Sequence, residues 1–111
     1  MVSSAKGGHV VTPDGQIEVP LETLTEICSR YRVRELSIFG SASVGRMRPD
    51  SDVDLLVVFE SDARVGLVAF ARLRDELAEA FGRAVDLVPK EGLKPAIKAE
   101  VLAQARTLFA A

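Results

Sequence analysis

Asp52 and Asp54 alternate in the run Asp52-Val53-Asp54-Leu55-Leu56-Val57. Residues two apart on an extended chain share a face, so both carboxylates point the same way, roughly 7 Å apart along the backbone. Val53, Leu55, Val57 and Phe59 take the other face, which is wholly apolar and would anchor the strand in a core. Asp86 interrupts a second apolar run, Val85-Asp86-Leu87-Val88. If the two strands are neighbours, three negative charges converge. Carboxylates that close raise one another's pKa, and a cation relieves the cost. An all-oxygen ligand set with room for water and phosphate is what Mg2+ prefers.

Upstream, Phe39-Gly40-Ser41 follows another apolar run. A glycine directly after a strand lets backbone approach a ligand closely, and the next residues can open a short helix whose N–H groups face a phosphate. Ser41 adds a hydroxyl. Alone, Gly40-Ser41 is an ordinary turn. Gly-Ser, ten residues and then Asp-x-Asp arises by chance in roughly one chain in a thousand of this length, from average residue usage. Arg46 and Arg48 lie between the two halves of this pattern. Contact with phosphates and a solvated loop are both open to them.

The elements that must position these residues follow from periodicity. Leu21, Leu24, Ile27, Cys28 and Tyr31 recur at three- and four-residue spacing after Pro20, which suits the first turn of a helix. A strand is expected over Val33–Phe39, and a second over Asp52–Glu60 after the turn Pro49-Asp50-Ser51. A helix over about Arg64–Phe81 carries Phe70, Leu73, Leu77 and Phe81 on one side, with Gly82 placed to cap it. A short strand, Ala84–Val88, ends at Pro89. A last helix is expected over about Leu93–Phe109, with Ile97, Val101, Ala105 and Leu108 facing inward. Arg72, Arg74, Asp75, Glu76 and Glu79 read as a solvated helix face.

Composition bounds what such a chain can be. Its 111 residues suit one domain, and 48% hydrophobic with 27% charged residues supports a packed core. A net charge of -2 argues against coating DNA or RNA, and 5% aromatic residues without Trp argue against single-strand stacking platforms. A nucleotide remains open, since metal ions can neutralise its phosphates. Cys28 is the one cysteine, so no intramolecular disulfide or thiolate zinc site is expected, and a buried inert thiol is. Residues 1–16, rich in Ser, Gly and turn formers, read as an N-terminal extension or a weak hairpin, with a mobile segment as one form. His9 within them reads as a solvated bystander. No signal peptide and no membrane span are expected, which points to the cytoplasm.

Ile38-Phe39-Gly40-Ser41, Gly45 and Pro49-Asp50-Ser51-Asp52-Val53-Asp54-Leu55-Leu56-Val57 resemble the signature of the DNA polymerase beta-like nucleotidyltransferase superfamily, in its minimal nucleotidyltransferase branch. The resemblance runs from about Pro20 to Phe109, leaving residues 1–16 as the extension and residues 17–111 as the domain. It implies an α/β (α+β) fold: a small mixed sheet of about three strands flanked by about four helices. It also implies transfer of a nucleotide from ATP or another nucleoside triphosphate to an acceptor. Gly40 and Ser41 would hold the triphosphate, with Arg46 and Arg48 as further candidates. Asp52 and Asp54 would bind two Mg2+ ions, and Asp86 would complete the metal site and help deprotonate the acceptor. The chemistry agrees, since two ions about 4 Å apart can clamp both oxygens of an in-line displacement at phosphorus. Many relatives carry an arginine soon after Gly-Ser, where this chain has Ala42-Ser43-Val44.

The resemblance further implies a partner. Minimal domains of this kind pair with helical HEPN toxins, act as the antitoxin, and transfer AMP to a toxin tyrosine. A hetero-oligomer with such a toxin is therefore expected, with the acceptor site supplied by another chain. Two alternatives stand beside this reading. One is a non-catalytic antitoxin that masks the toxin by binding. The other is a small-molecule nucleotidyltransferase, of the aminoglycoside kind, working with a separate substrate-binding subunit. The intact acidic triad weighs against the first and the missing acceptor site against the second.

Overall fold

The computed structural model describes residues 8–12, 15, 17–40 and 52–111. Strands β1 (His9–Val11) and β2 (Glu18–Pro20) pair antiparallel, with Val10 opposite Val19. Thr12 closes the hairpin: its backbone N–H donates to the Ile17 carbonyl at 3.0 Å, and its hydroxyl accepts from the Ile17 N–H at 3.2 Å. Ile17 and Val19 are buried and join the main core, so the hairpin is fastened to the body of the protein.

Helix α1 (Leu21–Arg30) follows at once. Pro20 is its cap residue, in an extended conformation at the end of β2, one position outside the first turn expected for it. Leu24, Ile27 and Cys28 form its buried stripe. Strand β3 (Val33–Phe39) and strand β4 (Val53–Phe59) pair antiparallel, and β4 pairs in parallel with β5 (Val85–Pro89) through helix α2 (Leu67–Phe81). Leu73, Leu77 and Phe81 of α2 lie against Val53, Leu55, Val57, Val85 and Leu87 in one core. Gly82 ends α2 in the left-handed conformation, with φ +72°, as its position predicts.

The C-terminal region departs from the expected single helix. A 3-10 turn (Lys90–Gly92) leads into helix α3 (Pro95–Gln104), which buries no residue. The chain then becomes extended at Ala105 and forms strand β6 (Arg106–Ala110). β6 pairs antiparallel with β3, so the main sheet has four strands in the order β5-β4-β3-β6. Ile97, expected to face inward, is 46% exposed. Leu108 does meet the core, but from a strand. The cause is tertiary: without β6, β3 would carry an open row of backbone N–H and C=O groups along one side.

The fold is thus mixed α/β, with three α-helices, one two-stranded hairpin and one four-stranded sheet among the described residues. No described helix is long and apolar enough to cross a membrane.

Candidate active site

β4 sits between β3 and β5, and the parallel register sets Asp54 directly beside Asp86. On its other side Asp54 is opposite Phe39, the last residue of β3. Alternation along β4 buries Val53, Leu55 and Val57 in the core and turns Asp54 to the opposite face. β5 repeats the pattern, with Val85 and Leu87 buried and Asp86 exposed. Asp52 lies one residue ahead of β4, exposed, where the Val53 N–H donates to the Ala84 carbonyl at 2.9 Å and fastens the starts of the two strands together.

The sheet therefore brings Asp54 and Asp86 side by side, with Asp52 on the same approach. Burial raises the Asp54 pKa above its ordinary value, and the neighbouring charges of Asp86 and then Asp52 raise it further. Among the described residues no three His, Cys, Asp or Glu side chains are already gathered around a common point as metal ligands. The arrangement is a half-buried carboxylate flanked by two others, which is the electrostatic setting a divalent cation relieves.

Gly40 closes this end of the sheet. Its φ of +75° lies in the left-handed region, and a β-carbon there would collide with Asp54 Oδ2 and stand 3.3 Å from Asp54 Cγ. Backbone and carboxylate are thus in close approach at this point. Ser41, Arg46 and Arg48 lie outside the described residues.

Other titratable groups stand apart from this cluster. Cys28 is buried, and burial pushes its thiol up to about 12, so it is an inert core group as expected. His9 Nε2 lies 3.9 Å from Glu18 Oε1 across the hairpin. Glu76, expected on a solvated face, instead accepts hydrogen bonds from both the Tyr31 hydroxyl and the Arg30 guanidinium. An open groove of about 740 Å3 lies at the far ends of β4 and β5, lined by Val57, Phe59, Leu67, Phe70 and Lys98 among others, and none of the three aspartates borders it.

The family pattern described as "Nucleotidyltransferase domain" matches residues 21–108, from the start of α1 into β6. The chain belongs to this family. It is 43% identical over 77 residues to protein adenylyltransferase MntA of Thermococcus cleftensis, covering 69% of this chain and 76% of that one. A solved structure assigned as a candidate minimal nucleotidyltransferase superposes with a TM-score of 0.65 at 38% identity, over 77% of this chain and 85% of that one. A chain of the complex between tri-AMPylated HEPN toxin and MNT antitoxin from Shewanella oneidensis gives a TM-score of 0.58 at 21% identity, covering 81% and 69%, and shares the fold. Within this nucleotidyltransferase, the family match embraces Gly40 and all three aspartates.

Proposed function

We propose that this nucleotidyltransferase transfers AMP from ATP to a tyrosine hydroxyl of a HEPN-family toxin and so acts as its antitoxin. The observation that carries the reading is the pairing of Asp54 with Asp86 on adjacent parallel strands beside Gly40. The relative MntA is a protein adenylyltransferase, and the Shewanella neighbour is a complex with an AMPylated HEPN toxin, which supports the acceptor class.

In this reading the acceptor oxygen attacks the α-phosphorus of ATP. The bond to the bridging oxygen of the β-phosphate breaks, and pyrophosphate leaves. Asp86, the exposed member of the pair, takes the acceptor proton. Asp52, Asp54 and Asp86 supply only oxygen donors and suit Mg2+, which when bound would neutralise charge on the triphosphate. Asp54, poorly solvated and beside two like charges, gains most from such a cation. The backbone at Gly40 gives close approach for the triphosphate, with Ser41, Arg46 and Arg48 as its further contacts.

Incubating the protein and its partner toxin with labelled ATP and Mg2+ tests the proposal. Mass spectrometry of the toxin should show a gain of one AMP on a tyrosine, with loss of toxicity. A bound and neutralised toxin without the mass gain would replace transfer by masking. Rapid transfer to a small molecule in the absence of any toxin would replace the protein acceptor.

A further inference from the structure

Among the described residues three glycines adopt nearly the same left-handed backbone: Gly15 with φ +73°, Gly40 with φ +75° and Gly82 with φ +72°. Their surroundings differ. A β-carbon at Gly15 or Gly82 would meet nothing within 4 Å, whereas one at Gly40 would run into Asp54, with Oδ2 the nearest atom, then Cγ at 3.3 Å and Cβ at 3.5 Å. The conformation alone accounts for glycine at positions 15 and 82. At position 40 a second reason is present, and it involves a candidate metal ligand.

We infer that Gly40 is a positioning residue for Asp54: the missing β-carbon is the space the Asp54 carboxylate occupies, and this fixes where that carboxylate stands relative to Asp86. Asp54 is held from both sides. Its backbone is clamped between Phe39 and Asp86 in the sheet, so the strand cannot shift sideways without breaking both ladders. On β4 the part free to give way is the side chain, and it must then leave the place set by Gly40. A single methyl group at residue 40 therefore displaces the carboxylate while leaving its chemistry intact. The steric claim stands on geometry alone, while its bearing on transfer rests on the proposed nucleotidyltransferase activity.

A double-mutant cycle tests it by urea unfolding of the metal-free full chain. Gly82→Ala measures the left-handed strain without a collision, and Gly40→Ala should destabilise clearly more. Asp54→Ala removes the obstructing carboxylate, so adding Gly40→Ala to it should cost no more than Gly82→Ala does. The coupling between residues 40 and 54 should reach at least tenfold in the unfolding constant. Gly40→Ala in an Asp54→Asn background should remain costly, because the amide keeps the volume and loses only the charge. If Gly40→Ala alone does not fold, recovery of folding in the Asp54→Ala background counts for the inference, and failure to recover counts against it. Additive effects of the two changes would overturn it.

Activity gives a separate readout. Displacement of Asp54 predicts that Gly40→Ala raises the Mg2+ concentration for half-maximal transfer and lowers kcat, over and above any change in KM for ATP that the triphosphate contact itself brings. A raised KM for ATP with unchanged Mg2+ dependence would assign Gly40 to the triphosphate alone. Coupling in urea without any measurable transfer would leave the positioning role standing and refute the activity.

Discussion

Asp54 is costly to ionise, and burial is the largest single cause, ahead of the charges of Asp86 and Asp52. Its folded-state pKa lies above its ordinary value, so at neutral pH the charged carboxylate subtracts from stability. As pH falls through that raised pKa the folded protein takes up a proton before the unfolded chain would, and stability is gained. Asp54→Asn should therefore leave the metal-free protein at least as stable as wild type at pH 7, while abolishing transfer. Urea midpoints of the two proteins should converge between pH 7 and about 4, as the protonated carboxyl comes to resemble the amide. A variant less stable than wild type at pH 7 would make Asp54 a structural residue. Asp86→Asn should behave differently, because Asp86 is the exposed member of the pair. Loss of the proposed general base predicts a fall in kcat of about 10²- to 10⁴-fold with little change in stability.

At the scale of elements, α2 is held by two unlike devices. Its buried face is hydrophobic, and Leu77→Ala should cost about 2–5 kcal/mol of unfolding free energy, read by urea denaturation. Its other tie is Glu76, which accepts from Tyr31 and Arg30 and fastens α2 to the end of α1. The hydrogen bond from Tyr31 is the main cause that holds the Glu76 carboxyl below its usual range, so this contribution is present at neutral pH and lost as pH falls through the lowered pKa. Exposed ion pairs contribute little, but here a phenol and a guanidinium converge on one carboxylate. Glu76→Ala should lower Tm by a few degrees and leave transfer unchanged, because α2 packs on the face of the sheet opposite the one Asp54 takes.

The same scale shows what the sequence discloses and what it conceals. β3, β4 and β5 are legible to within a residue or so at each end, because each is a short apolar run rich in β-branched residues and bounded by turn formers or charged residues. Asp54 and Asp86 stand out because each breaks an apolar run. The C-terminal strand is not legible. Ile97, Val101, Ala105 and Leu108 fit a helical period, and the demand that turns Arg106–Ala110 into a strand comes from the unpaired side of β3, far away in the chain. The collision at Gly40 is hidden for a similar reason. A glycine after a strand announces close approach to something, and only the β3–β4 register shows that the something is Asp54.

For the whole molecule, the site is an electrostatic load that a ligand can lift. Ionised Asp54, poorly solvated and beside two like charges, resists folding, and anything that binds there only in the folded state adds stability by mass action. Mg2+ together with ATP should raise Tm, with about 2.7 kcal/mol of added stability at a hundredfold excess over the dissociation constant. An unchanged Tm at millimolar concentrations of both would remove the metal site from this reading.

β5 closes one side of the four-stranded sheet, and strands in that place are where separate molecules add on to one another. It is short, it ends in Pro89, and Asp86 sits at its second position. A proline offers no N–H to an incoming strand, and a charge on so short a ladder discourages a second copy from lying alongside. The carboxylate proposed to take the acceptor proton thus also helps to keep the protein in solution. Exchanging Asp86 for valine would remove the proposed base and, in the same stroke, turn a second apolar side chain outward beside Val88 on this border strand.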